Sequence, residues 1–165
     1  MKTCVNWLFE KLGENAKIGV MGESLGGGTV IQYSAIDNRA SFVIADCPYS
    51  DLKKQLGYRL KKDYKLPYFL VIPVTSLISK IKFKFFFGEV SPIKDIKNNA
   101  VPTLLIHGKK DDFVPTSMSI ELYNAKNIGK KALYLADDAK HVESFTTNKK
   151  EYEKTIYNFL EKNNL

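Results

Sequence analysis

One short segment, GESLG (22–26), constrains the fold more than any other part of the sequence. An apolar run typical of a strand precedes it at 16–21, and a pattern typical of a helix follows it at 25–37. A turn that leads directly from a strand into a helix is very tight. It holds its central residue in a strained backbone conformation and lifts that side chain away from the sheet. The residues two positions before and after must then be small, and both are glycine. The segment therefore predicts that Ser24 presents its hydroxyl at a strand-to-helix corner.

Strand and helix patterns alternate along most of the chain. Further continuous apolar runs, typical of parallel strands covered on both faces, occur at 41–47, 101–108 and 131–137. Amphipathic patterns that favour helices occur at 2–12, 117–128 and 149–163. The alternation predicts a single α/β domain over residues 1–165, a doubly wound parallel sheet of about four strands with helices on both faces.

The stretch 50–100 interrupts this order as an insertion between the second and third strands. It contains lysine-rich helical turns and the longest apolar segment of the chain, at 66–78. That segment holds two prolines and is too short to span a bilayer. We expect it to be buried or to form a capping segment, and docking at a membrane interface is the alternative.

Charge and cysteine content narrow the possible partners and cofactors. The net charge is +7, but all of the basic residues except Arg39 and Arg59 are lysines, and these fall in small groups. Proteins that recognise nucleic acids rely on arginine for bidentate contacts, so we expect no nucleic-acid partner and assign the lysines to solvated faces. Cys4 and Cys47 lie far apart without metal-ligand spacing, so we expect no metal and no cofactor.

The N-terminal segment does not predict export. Residues 1–17 are amphipathic and charged, and they lack the apolar core of a signal peptide. We therefore expect a cytoplasmic protein, or a membrane-anchored or exported one if a further segment precedes Met1.

A serine hydroxyl is a poor nucleophile and needs a base, which an acid must orient. The sequence has two histidines. His141 follows the last predicted strand on a loop and is the favoured base, whereas His107 ends an apolar strand and favours a hydrogen-bonded structural role. The acid should follow a strand between the serine and the base, which leaves three candidates. Asp111 and Asp112 lie in HGKKDDFVP (107–115), and Asp46 is the runner-up.

Three segments carry a resemblance to a known family. GESLGG (22–27), HGKKDDFVP (107–115) and AKH (139–141) occur in the order and spacing of the α/β-hydrolase fold family. The chain most resembles bacterial serine hydrolases of the carboxylesterase and prolyl-oligopeptidase-like branches. ADCPYSD (45–51) and SPIKDIKNNAVPTLLIHG (91–108) also resemble that group, so the likeness spans nearly the whole chain.

The resemblance implies roles for individual residues. Ser24 matches the nucleophile at the nucleophile elbow, His141 the base and Asp111 the acid, with Asp112 left open as an alternative. Leu25 matches the backbone donor that stabilises an oxyanion. The implied substrate is a small ester, thioester or peptide, cleaved without cofactor or metal. The competing interpretation is a non-catalytic remnant that acts by binding or assembly.

The same resemblance implies a cap and an incomplete sheet. The stretch 50–100 matches the family's helical cap, whose cluster of Phe83, Phe85, Phe86 and Phe87 fits an acyl or aromatic pocket as well as plain core packing. The family fold has eight strands and carries the nucleophile after the fifth, so this chain resembles its C-terminal portion, a truncated α/β-hydrolase fold. The strand at 16–21 would then be an apolar edge, which predicts self-association through that edge.

Overall fold

The structure, a computed structural model, describes residues 1–165 and contains one parallel sheet with the strand order β1-β2-β3-β4. The strands are β1 (Gly19–Glu23), β2 (Phe42–Asp46), β3 (Thr103–Gly108) and β4 (Lys131–Ala136). The eight α-helices are α1 (Lys2–Leu12), α2 (Leu25–Ile36), α3 (Leu52–Arg59), α4 (Tyr68–Phe83), α5 (Pro92–Asp95), α6 (Ser117–Ala125), α7 (Ser144–Thr147) and α8 (Lys149–Lys162). The predicted α/β class with four parallel strands is confirmed.

Helices cover the sheet on both faces. Val43 and Leu105 point to one face, where they pack in a cluster with residues of α1, α2 and α6. The alternate residues Leu104 and Ile106 point to the other face and pack against Tyr152 of α8. This alternation explains the continuous apolar runs of the two central strands, because in β2 and β3 every residue except the half-buried Phe42 is buried whichever face it points to. Full burial of one such side chain contributes about 1.5–3 kcal/mol.

Two predicted boundaries differ from the structure. The strand predicted at 16–21 is found at Gly19–Glu23, because pairing with β2 runs up to the corner, where the N–H of Ser24 donates to Asp46 O at 2.9 Å. The helix predicted at 117–128 ends at Ala125. The next residue, Lys126, turns inward, and its buried Nζ donates to the carbonyls of Asn99 and Val101.

The insertion between β2 and β3 is built from helices and turns. It comprises α3, a π-helical turn at Leu60–Tyr64, α4, a short 3-10 turn at Phe87–Glu89, α5 and a second 3-10 turn at Ile96–Asn98. Of the two expectations for the apolar segment 66–78, burial is wrong, because most of α4 is exposed, and a capping role stays a prediction. None of the helices has both the length and the apolar character that crossing a membrane requires.

β1 lies at the edge of the sheet. Its links to β2 begin where Ile18 O accepts from Ser41 N–H (2.8 Å) and end at the Ser24 bond described above. Backbone groups of a parallel strand point alternately to its two sides. The N–H and C=O groups of the odd-numbered residues of β1, which include Met21, therefore point away from β2 along the open edge.

A charged network joins the end of α2 to α1. The Asp37 carboxylate accepts hydrogen bonds from Arg39 Nε (2.9 Å) and Tyr33 Oη (2.8 Å), and Arg39 Nη2 donates to Asn6 Oδ1 at 2.6 Å. The hydrogen bond from Arg39 is the largest of the effects that hold the pKa of Asp37 well below its usual range. Burial contributes most to raising the pKa of Tyr33 to about 12.

This network predicts a pH-dependent contribution to stability. We expect Asp37→Asn to lower the free energy of unfolding by about 1–3 kcal/mol near neutral pH, because a buried charge-assisted hydrogen bond is lost. The folded pKa is depressed, so the contribution is complete above the ordinary aspartate pKa of about 3.9 and is lost as the pH falls below it. Urea denaturation followed by circular dichroism should show wild type and variant converging between about pH 5 and pH 2. A difference that stays constant over that range would contradict the assignment.

Candidate active site

Ser24 occupies the corner between β1 and α2 in a strained backbone conformation. Its φ is 52° and its ψ is −113°, a region that residues other than glycine rarely adopt. The turn closes because Gly22 lies against the backbone of Gly26, where a Cβ on Gly22 would overlap. Strain of this kind costs about 1–3 kcal/mol and persists only where the surroundings hold it. The predicted corner is therefore present, with its hydroxyl raised at the carboxyl end of β1.

His141 joins Ser24 to Asp111. Its Nε2 lies 2.9 Å from Ser24 Oγ, and its Nδ1 lies 2.7 Å from Asp111 Oδ2. A carboxylate only accepts hydrogen bonds, so Nδ1 carries the proton and Nε2 presents its lone pair to the serine hydroxyl. Three residues that are widely separated along the chain thus form one continuous line of hydrogen bonds.

Backbone groups and a second histidine hold the Asp111 carboxylate in place. Oδ1 accepts the N–H groups of Phe113 and Val114, both at 2.9 Å, and Oδ2 also lies 3.1 Å from Nε2 of His107. Burial raises the pKa of Asp111, but the hydrogen bonds from His107, His141 and Val114 outweigh it and hold that pKa well below its usual range. The side chain is fully buried yet ionised, which suits it to orient an imidazole.

His107 is the buried, hydrogen-bonded histidine that the sequence predicted. Its Nε2 lies 2.9 Å from Val114 O, and its Nδ1 lies 2.6 Å from Ser119 Oγ. Because the carbonyl only accepts, Nε2 is the protonated nitrogen and also faces Asp111. Sequence reasoning missed this link to Asp111, although the spacing of four residues between His107 and Asp111 within one strand-to-loop turn is a usable signal.

The other acid candidates lie away from the imidazole. Asp112 is exposed and forms an ion pair with Lys62 Nζ at 2.8 Å. Asp46 is buried and accepts a hydrogen bond from Ser144 Oγ at 3.2 Å, and burial raises its pKa. Of the three predicted carboxylates, the structure brings Asp111 alone into contact with His141.

Leu25 is the first residue of α2, directly after the serine. The first N–H groups of a helix have no acceptor within the helix, and the helix dipole adds partial positive charge at this end. The backbone N–H of Leu25 is therefore suited to stabilise negative charge that develops beside Ser24 Oγ.

The insertion contacts the loop that carries Asp111. The centres of the Phe113 and His141 rings lie 4.8 Å apart. The guanidinium carbon of Arg59 lies 4.2 Å from the centre of the same Phe113 ring. Tyr58 Oη donates to Asp112 O at 3.1 Å. Sequence reasoning missed these residues, because an arginine or tyrosine in a lysine-rich helical stretch carries no signal of its tertiary partner.

The predicted aromatic cluster shows no direct link to the site. Phe83 and Phe86 are exposed, and Phe85 and Phe87 lie against each other with ring centres 6.4 Å apart. A pocket-lining role for these rings stays a prediction.

One group of side chains has the composition of a metal site. The ligand atoms of Cys47, Asp111 and His141 lie within 4.8 Å of one another. Burial is the main cause that raises the pKa of Cys47 to about 12, which favours the protonated thiol. Zinc binds the thiolate, so this cysteine is poorly suited to be a ligand. Asp111 and His141 also hydrogen-bond each other, which engages the atoms that would otherwise bind a metal.

The chain is similar to known proteins both in family and in sequence. The model of the prolyl oligopeptidase family matches residues 2–164. The uncharacterized protein YqkD of Bacillus subtilis (strain 168) is 38% identical over 162 residues, which make up 97% of this chain and 53% of YqkD. The chain thus spans about half the length of this curated relative.

Solved structures share the fold. The esterase Pf2001 of Pyrococcus furiosus is 26% identical with a TM-score of 0.71, over 96% of this chain and 58% of the esterase. The acylaminoacyl peptidase of Pyrococcus horikoshii is 21% identical with a TM-score of 0.65, over 88% of this chain and 24% of the peptidase. A monoacylglycerol lipase of Paleococcus ferrophilus is 21% identical with a TM-score of 0.65, over 98% of this chain and 74% of the lipase. The fold is that of the α/β-hydrolases, and, since the family model covers almost every residue, the chain belongs to the prolyl oligopeptidase family of serine hydrolases.

Proposed function

We propose that this chain hydrolyses carboxylic esters, thioesters or amides, with Ser24 as nucleophile, His141 as base and Asp111 as the acid that orients the base. The observation that carries the proposal is the continuous line of hydrogen bonds from Ser24 Oγ through both ring nitrogens of His141 to Asp111 Oδ2. Family membership supports hydrolysis in general.

The mechanism follows from these positions. As Ser24 Oγ attacks the carbonyl carbon, its proton passes to His141 Nε2, and the carbonyl oxygen becomes an oxyanion that accepts from the N–H of Leu25. The imidazolium then protonates the leaving alcohol, thiol or amine, and the acyl group stays on Ser24. His141 Nε2 then takes a proton from water as the water oxygen attacks the acyl carbon. When the bond from that carbon to Ser24 Oγ breaks, the imidazolium returns the proton to Oγ, which releases the carboxylic acid and restores the serine.

Asp111 acts on the imidazole and not on the substrate. It keeps the Nδ1–H tautomer, so that Nε2 faces Ser24 unprotonated, and its negative charge stabilises the imidazolium that forms in each step. Its depressed pKa keeps this charge in place throughout the neutral range.

The competing proposal is a non-catalytic remnant that acts by binding or assembly. Residues 1–165 correspond to about half of YqkD, so an activity of the whole relative is not carried over to them. The family fold stabilises an oxyanion with two N–H groups, and Leu25 supplies one of them. Loss of one such donor costs about 10²–10³ in kcat, so we expect slow turnover from the 165-residue chain even with a competent serine.

We also propose one domain over residues 1–165, with the insertion at about 50–100 acting as a cap over the site. The contact of Arg59 with Phe113, and of Phe113 with His141, supports this arrangement.

The open edge of β1 suggests self-association. Its unpaired N–H and C=O groups form a template for another strand, and the exposed Met21 side chain adds apolar surface beside them.

A fluorophosphonate probe distinguishes a competent serine from an idle one. We expect wild type to become covalently labelled and Ser24→Ala to lose labelling entirely, because the reactive oxygen is gone. Ser117→Ala, at an exposed serine on α6, is the matched control and should label like wild type. A wild-type chain that folds but never labels would favour the remnant.

The adjacent aspartates provide a matched pair for the acid. Asp111→Asn should lower the labelling rate or kcat by about 10³–10⁴, because an amide favours the wrong imidazole tautomer. Asp112→Asn removes only the exposed ion pair with Lys62 and should stay within about twofold, because exposed pairs contribute little. The kcat of each variant for hydrolysis of an activated ester measures this difference. Equal losses in the two variants would contradict the assignment.

Light scattering tests whether the chain self-associates through the open edge of β1. Met21→Pro deletes an outward-facing N–H without disturbing the bonds to β2, whereas Met21→Ala keeps that N–H. We expect wild type and Met21→Ala to form dimers or larger species that Met21→Pro weakens. A strictly monomeric wild type at high concentration would refute pairing through this edge.

A further inference from the structure

Helix α4 buries polar side chains and exposes apolar ones, which is the reverse of an ordinary surface helix. Its buried positions are Ile72, Ser76 and Ser79, two of which are polar. The outward-facing residues are apolar and strongly exposed, and they include Phe69 (79%), Leu77 (52%) and Ile81 (65%). Almost half of the exposed large apolar side chains of the chain lie between residues 64 and 86.

A hydrogen bond accounts for one of the two serines on the inner face of α4. Ser76 Oγ accepts a hydrogen bond from the backbone N–H of Phe87 at 3.0 Å, which fixes the helix against the turn that follows it. Ser79 Oγ is also buried but has no hydrogen-bond partner. With Ile72, Ser76 and Ser79 on the inner face, the apolar residues between them point outward. A contiguous row of exposed apolar side chains on a protein surface is typical of a binding surface.

The charge around this face has one sign. Residues 64–88 contain no aspartate or glutamate, and lysines lie at both ends, Lys65 before α4 and Lys80, Lys82 and Lys84 at its end. The acidic residues that border the segment are paired: Asp63 with Arg59 at 2.6 Å, and Glu89 with Lys80 at 3.0 Å.

We propose that the outward face of α4 binds an anionic phospholipid surface. An apolar helix face immersed between lipid chains, with lysines at its rim contacting anionic headgroups, is the usual arrangement of a helix that lies in the membrane interface. The helix has 16 residues and is about 24 Å long, which suits it to lie in the interface and not to cross the bilayer.

The charge distribution disfavours a second copy of the chain as the occupant. A symmetric dimer through α4 would bring the same face of each copy together, and so the basic rims would meet each other. An anionic lipid surface instead complements those rims. This binding does not depend on hydrolysis by Ser24, so failure of the proposed function leaves it untouched.

Vesicle flotation tests the proposal on the full 165-residue chain. We expect it to float with vesicles of phosphatidylcholine and phosphatidylserine, to float far less with phosphatidylcholine alone, and to release partly at high salt. Leu77→Gln combined with Ile81→Gln should weaken binding by about tenfold or more, because two apolar side chains no longer insert.

A charge variant tests the rim separately. Lys65→Glu combined with Lys82→Glu should also weaken binding by about tenfold or more, since each lysine near an anionic surface contributes appreciably. The matched controls change exposed residues elsewhere: Leu12→Gln with Ile36→Gln, and Lys2→Glu with Lys150→Glu. Both controls should bind like wild type, and circular dichroism checks that every variant folds.

Fluorescence locates the inserted residue. In a Trp7→Phe background, the tryptophan introduced by Leu77→Trp should be quenched by brominated lipids, whereas that introduced by Ile36→Trp should not. Absence of flotation, or flotation unaffected by the α4 variants, would overturn the proposal. An oligomer that dissociates in the Leu77→Gln and Ile81→Gln variant without any vesicle binding would assign the face to a second copy instead.

Discussion

The strained backbone of Ser24 is the constraint on which the rest of the site depends. Its positive φ is sustained from two sides, by the hydrogen bond from its N–H to Asp46 O on β2 and by the close approach of Gly22 and Gly26. Because the turn is this tight, β1 passes directly into α2. The same turn raises the serine hydroxyl toward His141 and places a free helix N-terminus beside it. A side chain at Gly22 would open the turn and remove all of these relations together.

The second element of the site is a carboxylate that remains charged while buried. Two backbone N–H groups and two imidazoles contact Asp111, and together they offset the cost of burying it. The neighbouring Asp112 shows the contrast, since it lies in solvent and pairs with Lys62. The anchored loop also carries Phe113, which connects the imidazole of His141 to Arg59 in the insertion. The position of the base therefore depends on both the sheet and the inserted helices.

Much of this arrangement could be predicted from the sequence, because its signals are local. The apolar runs predicted four parallel strands, and the glycine spacing predicted the corner at Ser24. The order of Ser24, Asp111 and His141 along strand ends predicted residues that the structure brings together. Features that depend on tertiary partners could not be predicted. Apolar composition suggested that segment 66–78 is buried, whereas α4 places Ser76 and Ser79 on its inner face and exposes its apolar residues. The inward turn of Lys126 likewise ends α6 earlier than its amphipathic pattern indicates.

The proposed mechanism requires that Ser24 becomes acylated because His141, oriented by Asp111, accepts its proton. Intact mass spectrometry during reaction with a p-nitrophenyl ester measures this directly, since the acyl-enzyme adds one acyl mass to the chain. We expect a single adduct that maps to the peptide containing Ser24, forms far more slowly in His141→Ala and is absent from Ser24→Ala. An adduct that persists in Ser24→Ala, or a rate unaffected by the loss of the imidazole, would contradict it.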